Sequence, residues 1–527
     1  MNTKITGCAD ALNTRKFADR IRERNPSFEP EAFRQLTGTD LTTSKIGYGS
    51  YRVDHRFDEH AATLHEAIQS GCNLIDTSSN YTDGGSETLI GNVLSEQIAG
   101  GKIERSEIIV VSKVGYIQGQ NLEEAMRRER EGESWKEVVK YMDGCWHCIH
   151  PDFLVDQWKR SSDRLQLETI DVYLLHNPEY FLSDLHKRSP RANLEEIRDT
   201  FYDRIYRAFV QMERFVAEGK VRYYGISSNT FPSPKADFEH VSLRRCYDAA
   251  CEASKSVHGA QDADHFKVIQ LPYNLFEHSA LLEVNNTING QNMTVLEGAE
   301  SLGIGVLVNR PLNAVQGNQM VRLAQYPYNP DLDYQGAIDR EVEVLGETEN
   351  RLRTTLKDWG IFSQLSESAN STLFFDVAQK LPRFLPQIQN RDHWEQIAQQ
   401  YIIPLIYNYL GQTIEACPNP NQAEWNDMQQ EYVGAIKRLL SLVSGRFNRM
   451  ASLQAEPISE ALDQVLTGEQ RKLTLSQKAL NFVTSSPGVS VALNGMKRSE
   501  YVADAMGLMS VPAFTESVRK LIKAIEE

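Results

Sequence analysis

Short, nearly unbroken apolar runs alternate along this chain with segments whose apolar residues recur every three or four positions. The runs lie at 44–50 (SKIGYGS), 73–78 (NLIDTS), 107–113 (EIIVVSK), 170–176 (IDVYLLH), 221–227 (VRYYGIS), 267–271 (KVIQL), 303–309 (GIGVLVN) and 488–494 (GVSVALN). Runs of this kind mark strands covered on both faces, as in a parallel sheet enclosed by helices. The segments between them read as amphipathic helices. In 152–165, Leu154, Trp158 and Leu165 share one stripe and Asp152 can cap the first turn. In 205–218, Ile205, Phe209, Met212 and Val216 form the stripe, and Gly219 supplies a left-handed stop. Eight such strand–helix units suit a closed (β/α)8 barrel better than a doubly wound open sheet.

Two stretches break the regular spacing. Residues 115–150 are long and charged (EEAMRREREGESWKEVVKYMDG), which predicts a helical excursion between a strand and its helix. The larger break, 313–473, falls between the seventh and eighth strands and is helical in pattern. Trp425, Met428, Tyr432, Ile436, Leu439 and Val443 sit at spacings of three and four, a stripe that suits a small core of its own. The expected α/β fold is therefore a (β/α)8 TIM barrel over 41–312 and 474–527. It carries an N-terminal extension (1–40) and a large inserted helical subdomain (313–473).

Composition narrows the partners. With 56 Lys and Arg against 71 Asp and Glu, the formal charge is −15, which speaks against nucleic acid as a ligand. No run approaches the roughly 20 apolar residues of a spanning helix, so no membrane association is expected. The N-terminal MNTKITGCADALNTRKF lacks the apolar core of a secretory signal. Seven scattered cysteines, an odd number, fit reduced thiols, and the expected location is cytoplasmic.

In a barrel of this type chemistry collects where the strands finish. Asp76 ends the second strand and Tyr81 lies in the loop after it; Lys113 ends the third strand and His176 the fourth. Four titratable residues on three consecutive strand ends would face one mouth. Here the sequence resembles the aldo-keto reductase family, through LTGTDLTTSKIGYGSYRV, NLIDTSSNYTDGGSETLIGNVL, VVSKVGY, IDVYLLHNPE, VRYYGISSNTF, VIQLPYNLFE and PGVSVALNGMKRSEYV. The resemblance implies that Asp76, Tyr81, Lys113 and His176 form a catalytic tetrad. It also implies a nicotinamide cofactor, usually NADP(H) with NAD(H) as the alternative, and reversible reduction of an aldehyde or ketone. Physical chemistry suits those roles. Hydride transfer to a carbonyl carbon builds charge on the oxygen, which needs a positioned proton donor. A free phenol is a sluggish acid at neutral pH, and a neighbouring ammonium is expected to draw its pKa down. Asp76 would hold Lys113 charged, and a neutral His176 would orient the substrate oxygen.

The resemblance places the nicotinamide carboxamide near Ser227, Ser228 or Asn229, and near Gln270. It places the pyrophosphate over Asn309, Arg310, Pro311 and Leu312. An adenosine 2′-phosphate would meet Lys497 and Arg498 at the start of a short helix, where backbone N–H groups and two cations suit a dianion. In this family an aromatic ring often stands where this chain has Asn309, and a small polar residue where it has Arg310. The adenine-end positions hold Tyr501 and Ala505 in place of the usual polar residues. Residues 145–151 (CWHCIHP) contain a CxxC with His147 and His150, yet four ligands within six residues hardly close a tetrahedron. No metal site is expected there, and the stretch reads as a loop shaping the mouth. The expected activity is transfer of a hydride between NADP(H) and an aldehyde, ketone or sugar lactol, the substrate being a small carbonyl or alcohol. The alternative is a nucleotide-binding regulatory protein whose insertion engages a protein partner.

Overall fold

The structure, a computed structural model, describes residues 4–189, 193–259, 265–316, 319–363, 365, 375–417 and 422–526. Eight strands close a barrel: β1 (Ile46–Gly49), β2 (Leu74–Asp76), β3 (Ile109–Val114), β4 (Ile170–His176), β5 (Val221–Ser227), β6 (Phe266–Pro272), β7 (Gly305–Asn309) and β8 (Val491–Gly495). Each strand pairs in parallel with the next, and β8 returns to β1. Continuous apolar runs become strands here because both faces are covered. Every residue of β2, β3 and β4 is buried. One set of alternate positions (Leu74, Ile109, Val111, Val172, Leu174, Val268, Leu307, Val491 and Leu493) packs into a single cluster, which fills the barrel interior.

The N-terminal segment contributes to that cluster through Ala9, Leu36 and Leu41. Phe33–Gln35 and Thr42–Ser44 form a small antiparallel hairpin. Its turn requires glycine: Gly38 has φ +75°, and a Cβ there would lie 1.7 Å from the Gly303 carbonyl oxygen. Asp171, wholly buried on β4, ties the segment down. It accepts from Ala9 N at 2.6 Å, from Val110 N at 2.8 Å and from Arg105 Nη2 at 2.7 Å.

Three local expectations are corrected. Within 115–150 the charged run is a helix, Gln120–Glu131, but it stops at left-handed Gly132 (φ 76°). The flanking segments Tyr116–Ile117, Val139–Met142 and Cys145–His147 form a three-stranded antiparallel sheet. Their aromatic and β-branched residues favour strands once the charged helix has ended. The helix expected from Asp152 is Pro151–Leu165, and its cap is His150, whose Nδ1 accepts from Asp152 N at 3.2 Å. Pro151, with its fixed φ and no N–H, takes the first helical position and moves the cap back two residues, from Asp152 to His150. The helix expected over 205–218 begins earlier, at Leu194, capped by Asn193, and ends at Ala217 with Gly219 at φ +71°.

A second compact unit comprises Ala324–Glu460, while 1–323 and 461–527 form the first. Its helices Tyr334–Asp358, Ile403–Ala416 and part of Gln422–Val465 enclose a core of their own. From the long helix Trp425, Tyr432, Ile436, Leu439 and Val443 are buried, and half-buried Met428 packs against them. Leu345, Leu352 and Leu356 meet them from the first helix. Among the described residues no helix is long and apolar enough to cross a membrane.

Replacing Asp171 by alanine strands a buried Arg105 guanidinium and two backbone N–H groups. The expected cost is about 3–5 kcal/mol, the range for breaking a buried ion pair by removing one partner. It is read as a lower urea midpoint for the variant than for the unaltered chain.

Candidate active site

Asp76 ends β2, and its register opposite Gly49 and Val111 sets its height at the strand ends. Lys113, on β3 opposite Leu174, extends its amine to the same level. Lys113 Nζ donates to Asp76 Oδ2 at 2.7 Å, to the Thr77 carbonyl at 2.9 Å and to Tyr81 Oη at 3.1 Å. An ammonium has three protons, so all three are placed. Lys113 is 0% exposed and Asp76 4% exposed. Burial disfavours the ammonium, but Asp76 and Tyr81 together outweigh it and raise the pKa of Lys113 above its ordinary value.

Tyr81 reaches this point through an unusual turn. Thr82 (φ 48°) and Asp83 (φ 56°) are left-handed, as is Gly84 (φ 88°). Non-glycine residues in that region cost on the order of 1–3 kcal/mol each. The turn is held by Thr82 Oγ1 donating to the Val53 carbonyl at 2.8 Å and by Asp83 accepting from Gln120 N at 3.1 Å. The Tyr81 ring lies edge-on to Tyr51, with centroids 5.2 Å apart, and edge-on to His176 at 6.0 Å. The expectation of a lowered phenol pKa is corrected. Burial pushes Tyr81 up by more than Lys113 pulls it down, so the phenol stays protonated at neutral pH.

His176 ends β4, level with Ser227. Its pKa is held well below the ordinary imidazole value by burial, then by Lys113 and His147, so the ring is neutral. Its Nδ1 lies 3.1 Å from Ser78 Oγ. Its carbonyl is 2.7 Å from His147 Nε2, and the Tyr116 ring lies edge-on at 4.7 Å. Tyr116 in turn is fixed by Tyr180 Oη at 2.8 Å and by Asn177 Nδ2 at 2.9 Å. Gly115 makes room, since a Cβ there would lie 2.5 Å from His147 Nε2. Sequence reading missed Ser78 and Tyr116, and placed His147 only in a loop shaping the mouth, not against His176. The serine was visible inside IDTSSNY, but nothing in its spacing points at a ring on another strand.

Gln270, expected near a cofactor, hydrogen-bonds Asp76. Its Nε2 donates to Asp76 Oδ1 at 2.8 Å, and its Oε1 accepts from Ser227 Oγ at 3.0 Å and more distantly from Asn309 Nδ2 at 3.5 Å. Ser228 turns elsewhere: its oxygen accepts from Thr230 N at 3.1 Å. Asn229 is exposed, and its backbone N donates to buried Glu179 at 2.9 Å. Arg310, at φ 53°, pairs with Glu277 at 2.8 Å, and Pro311 and Leu312 are buried. Lys497 and Arg498 precede the helix Ser499–Gly507, with Arg498 as its cap residue rather than inside it. The Arg498 guanidinium lies 3.8 Å from Glu500. Among the described residues, buried polar atoms near the strand ends without a hydrogen-bond partner include Ser79 Oγ, Glu179 Oε2, Asn309 Oδ1 and Arg310 Nε. Each such atom costs about 1–3 kcal/mol, a cost that a polar ligand removes.

The CWHCIHP groups are each engaged separately. His147 serves the His176 carbonyl and His150 caps a helix. Cys148 Sγ donates to the Lys136 carbonyl at 3.4 Å, and burial pushes its thiol up to about 12. A thiol so raised is a poor nucleophile and a poor ligand.

The model of the aldo/keto reductase family matches residues 45–332. This chain belongs to the aldo/keto reductase family. Among curated relatives of this aldo/keto reductase chain is an uncharacterized oxidoreductase of Bacillus subtilis (strain 168). It is 26% identical over 195 residues, which cover 37% of this chain and 48% of the relative. The NADH-specific methylglyoxal reductase of Escherichia coli (strain K12) is 27% identical over 149 residues, covering 27% of this chain and 40% of the relative. The chain spans about half the length of the curated relatives it matches. A solved aldo-keto reductase from Bacillus halodurans, in its holo form, covers 94% of this chain and 95% of its own, with a TM-score of 0.45 and 15% identity.

The neutral, buried His147 gives a pH signature. An unfolded imidazole takes up a proton near 6.5, whereas burial holds His147 down to about 4 in the fold. Its contribution is complete above pH ~6.5 and is lost as pH falls from there towards 4, in total about 3 kcal/mol. Urea unfolding of the unaltered chain and of His147→Gln should therefore differ by a margin that shrinks over that window. A constant margin would contradict the assignment.

Proposed function

We propose that this protein is an NAD(P)H-dependent oxidoreductase that interconverts a small aldehyde, ketone or sugar lactol and its alcohol, with Tyr81 as proton donor. The observation that carries the reading is the contact of Lys113 Nζ with both Asp76 Oδ2 and Tyr81 Oη, at 2.7 and 3.1 Å. The fixed ammonium favours negative charge on the phenol oxygen in the transition state, when the proton leaves for the substrate oxygen. The raised phenol pKa is compatible with this, because reduction starts from a protonated Tyr81.

Asp76 and Gln270 position rather than react. Asp76 spends one oxygen on Lys113 and the other on Gln270, so neither is left to draw a proton from Tyr81. His176, neutral, hydrogen-bonds the substrate oxygen. Ser78 has one proton and two near acceptors, Asn80 Oδ1 at 2.7 Å and His176 Nδ1 at 3.1 Å. Given to Nδ1, it leaves His176 with an Nε2–H that donates to a carbonyl. Given to Asn80, it leaves an Nε2 lone pair that accepts from an alcohol. The two tautomers suit the two directions of the reaction.

A nicotinamide cofactor fits the residues present. A carboxamide supplies donors for the unpartnered Asn309 Oδ1, beside Ser227 and Gln270. Arg310, Pro311 and Leu312 would hold the pyrophosphate, and Lys497 and Arg498 a 2′-phosphate. NADP(H), or NAD(H), supplies and takes back the hydride when bound. Ser228 and Asn229 act through their shared contact with Glu179, which shapes the loop after β5.

In steady-state assays with NADPH and a panel of small carbonyls, Tyr81→Phe should lose about 10²–10⁴-fold in kcat, the usual share of a positioned acid. Binding of NADPH, read by quenching of protein fluorescence, should be retained. Equal turnover by the two proteins would rule out the role given to Tyr81.

A further inference from the structure

We propose that Glu213, His258 and His265 form a binding site for one divalent transition-metal ion, of which Zn²⁺ is the best match, at the end of the barrel opposite the tetrad. Glu213 sits in the last turns of the helix Leu194–Ala217, His258 is the final residue of the helix Leu243–His258, and His265 immediately precedes β6. Helices that lead into strands finish at the strand beginnings, so these three residues gather where β5 and β6 start. The tetrad occupies the strand ends. The site is independent of the reaction proposed above.

The geometry carries the assignment. One ligand atom from each residue falls within 4.8 Å of the others. His258 Nε2 lies 3.0 Å and His265 Nδ1 2.8 Å from the same carboxylate oxygen, Glu213 Oε2. A tetrahedral Zn²⁺ with bonds of about 2.0–2.1 Å spaces its ligand atoms roughly 3.3 Å apart. Seating an ion therefore asks each histidine nitrogen to part from Glu213 Oε2 by only a few tenths of an ångström, and the two nitrogens already lie within 4.8 Å of each other. Two imidazoles and a carboxylate are a ligand set suited to zinc, with a further position left for water. The two histidines are 23% and 29% exposed in their side chains, which gives an ion a way in.

The surroundings point the same way. Glu213 is 0% exposed, and its ion-pair partners among the described residues are the two imidazoles alone. Histidine is a cation only while it holds an extra proton, so this wholly buried carboxylate has no permanent counter-charge, an arrangement that needs pairing or a metal. Its other oxygen is already occupied. Oε1 accepts from Tyr224 Oη at 2.8 Å and more distantly from His265 N at 3.4 Å. That orients Oε2 towards the histidines, as hydrogen bonds to the non-ligating atom of a carboxylate do at zinc sites. The His258 and His265 rings meet edge-on at 5.7 Å, which lets both nitrogens face one point. A bound ion would pin the two helices to the start of β6.

The test uses the full chain, stripped with EDTA, desalted and titrated with CoCl₂ and then ZnCl₂. One equivalent of Co²⁺ should develop the visible absorption of a four- or five-coordinate nitrogen–oxygen site, Zn²⁺ should displace it, and the melting temperature should rise by several degrees. His258→Gln, a change at a partly exposed helix end, should abolish the spectrum. Tyr224→Phe keeps all three ligands and should weaken Zn²⁺ about tenfold or more. Three results would overturn the site: no binding by the unaltered chain at 1 mM metal (roughly the weakest affinity worth naming), the same spectrum and stoichiometry in His258→Gln, or an intense near-ultraviolet thiolate band that puts the metal on cysteine.

Discussion

Everything at the barrel mouth depends on one buried ion pair. Lys113 has no solvent to stabilise its charge, so its protonation rests on Asp76 and on the carbonyl and phenol oxygens around it. Breaking such a pair from one side leaves an uncompensated charge in a medium of low polarity. The pair therefore constrains its neighbours: Thr77 must present its carbonyl, Tyr81 must return over the amine, and Gln270 must cap the far oxygen of Asp76. Through Gln270 the constraint crosses the barrel from β2 to β6, and it extends to β5 and β7 through Ser227 and Asn309. The residues expected to serve proton transfer thus share one hydrogen-bonded network with Ser227, Gln270 and Asn309, three of those expected near a cofactor.

The loop that carries Tyr81 has a cost that the network offsets. Two consecutive non-glycine residues in the left-handed region are tolerated because Thr82 and Asp83 have side chains able to bond nearby backbone. Strain of this kind concentrates where a side chain must be aimed rather than merely buried. Here it turns the chain back so that a phenol from the loop, not from the strand itself, meets an amine on the next strand.

Much of this was legible in the sequence, for identifiable reasons. Strands buried on both faces leave continuous apolar runs, and a titratable residue at the end of such a run is conspicuous; hence Asp76, Lys113 and His176. The stripe from Trp425 to Val443 was readable because a helix core repeats at a fixed period. What was not legible depends on contacts made at a distance. His147 and Ser78 brace His176 from other elements, and no spacing encodes that. The acidic and basic residues of 120–131 set the expectation for the whole of 115–150, hiding the short strands beside them. Pro151 moved a helix cap by two residues, from Asp152 to His150. The direction of the Tyr81 shift depends on how completely the ring is buried against how near the amine sits, and sequence supplies only the second.

The barrel closes between its first strand and its last, so Gly49 and its neighbours wait for Val491 to Gly495. The second compact unit is synthesised in between. At roughly 5–20 residues per second, seven paired strands stand open for on the order of ten seconds. Through that interval the free edges of β1 and β7 are ready to pair with any other extended chain. The hairpin that delivers Leu36 and Leu41 is made early, so the floor of the barrel is available before its wall is complete. For this protein the vulnerable moment is thus a matter of timing on the ribosome: a nascent chain with one seam unstitched until the final strand emerges.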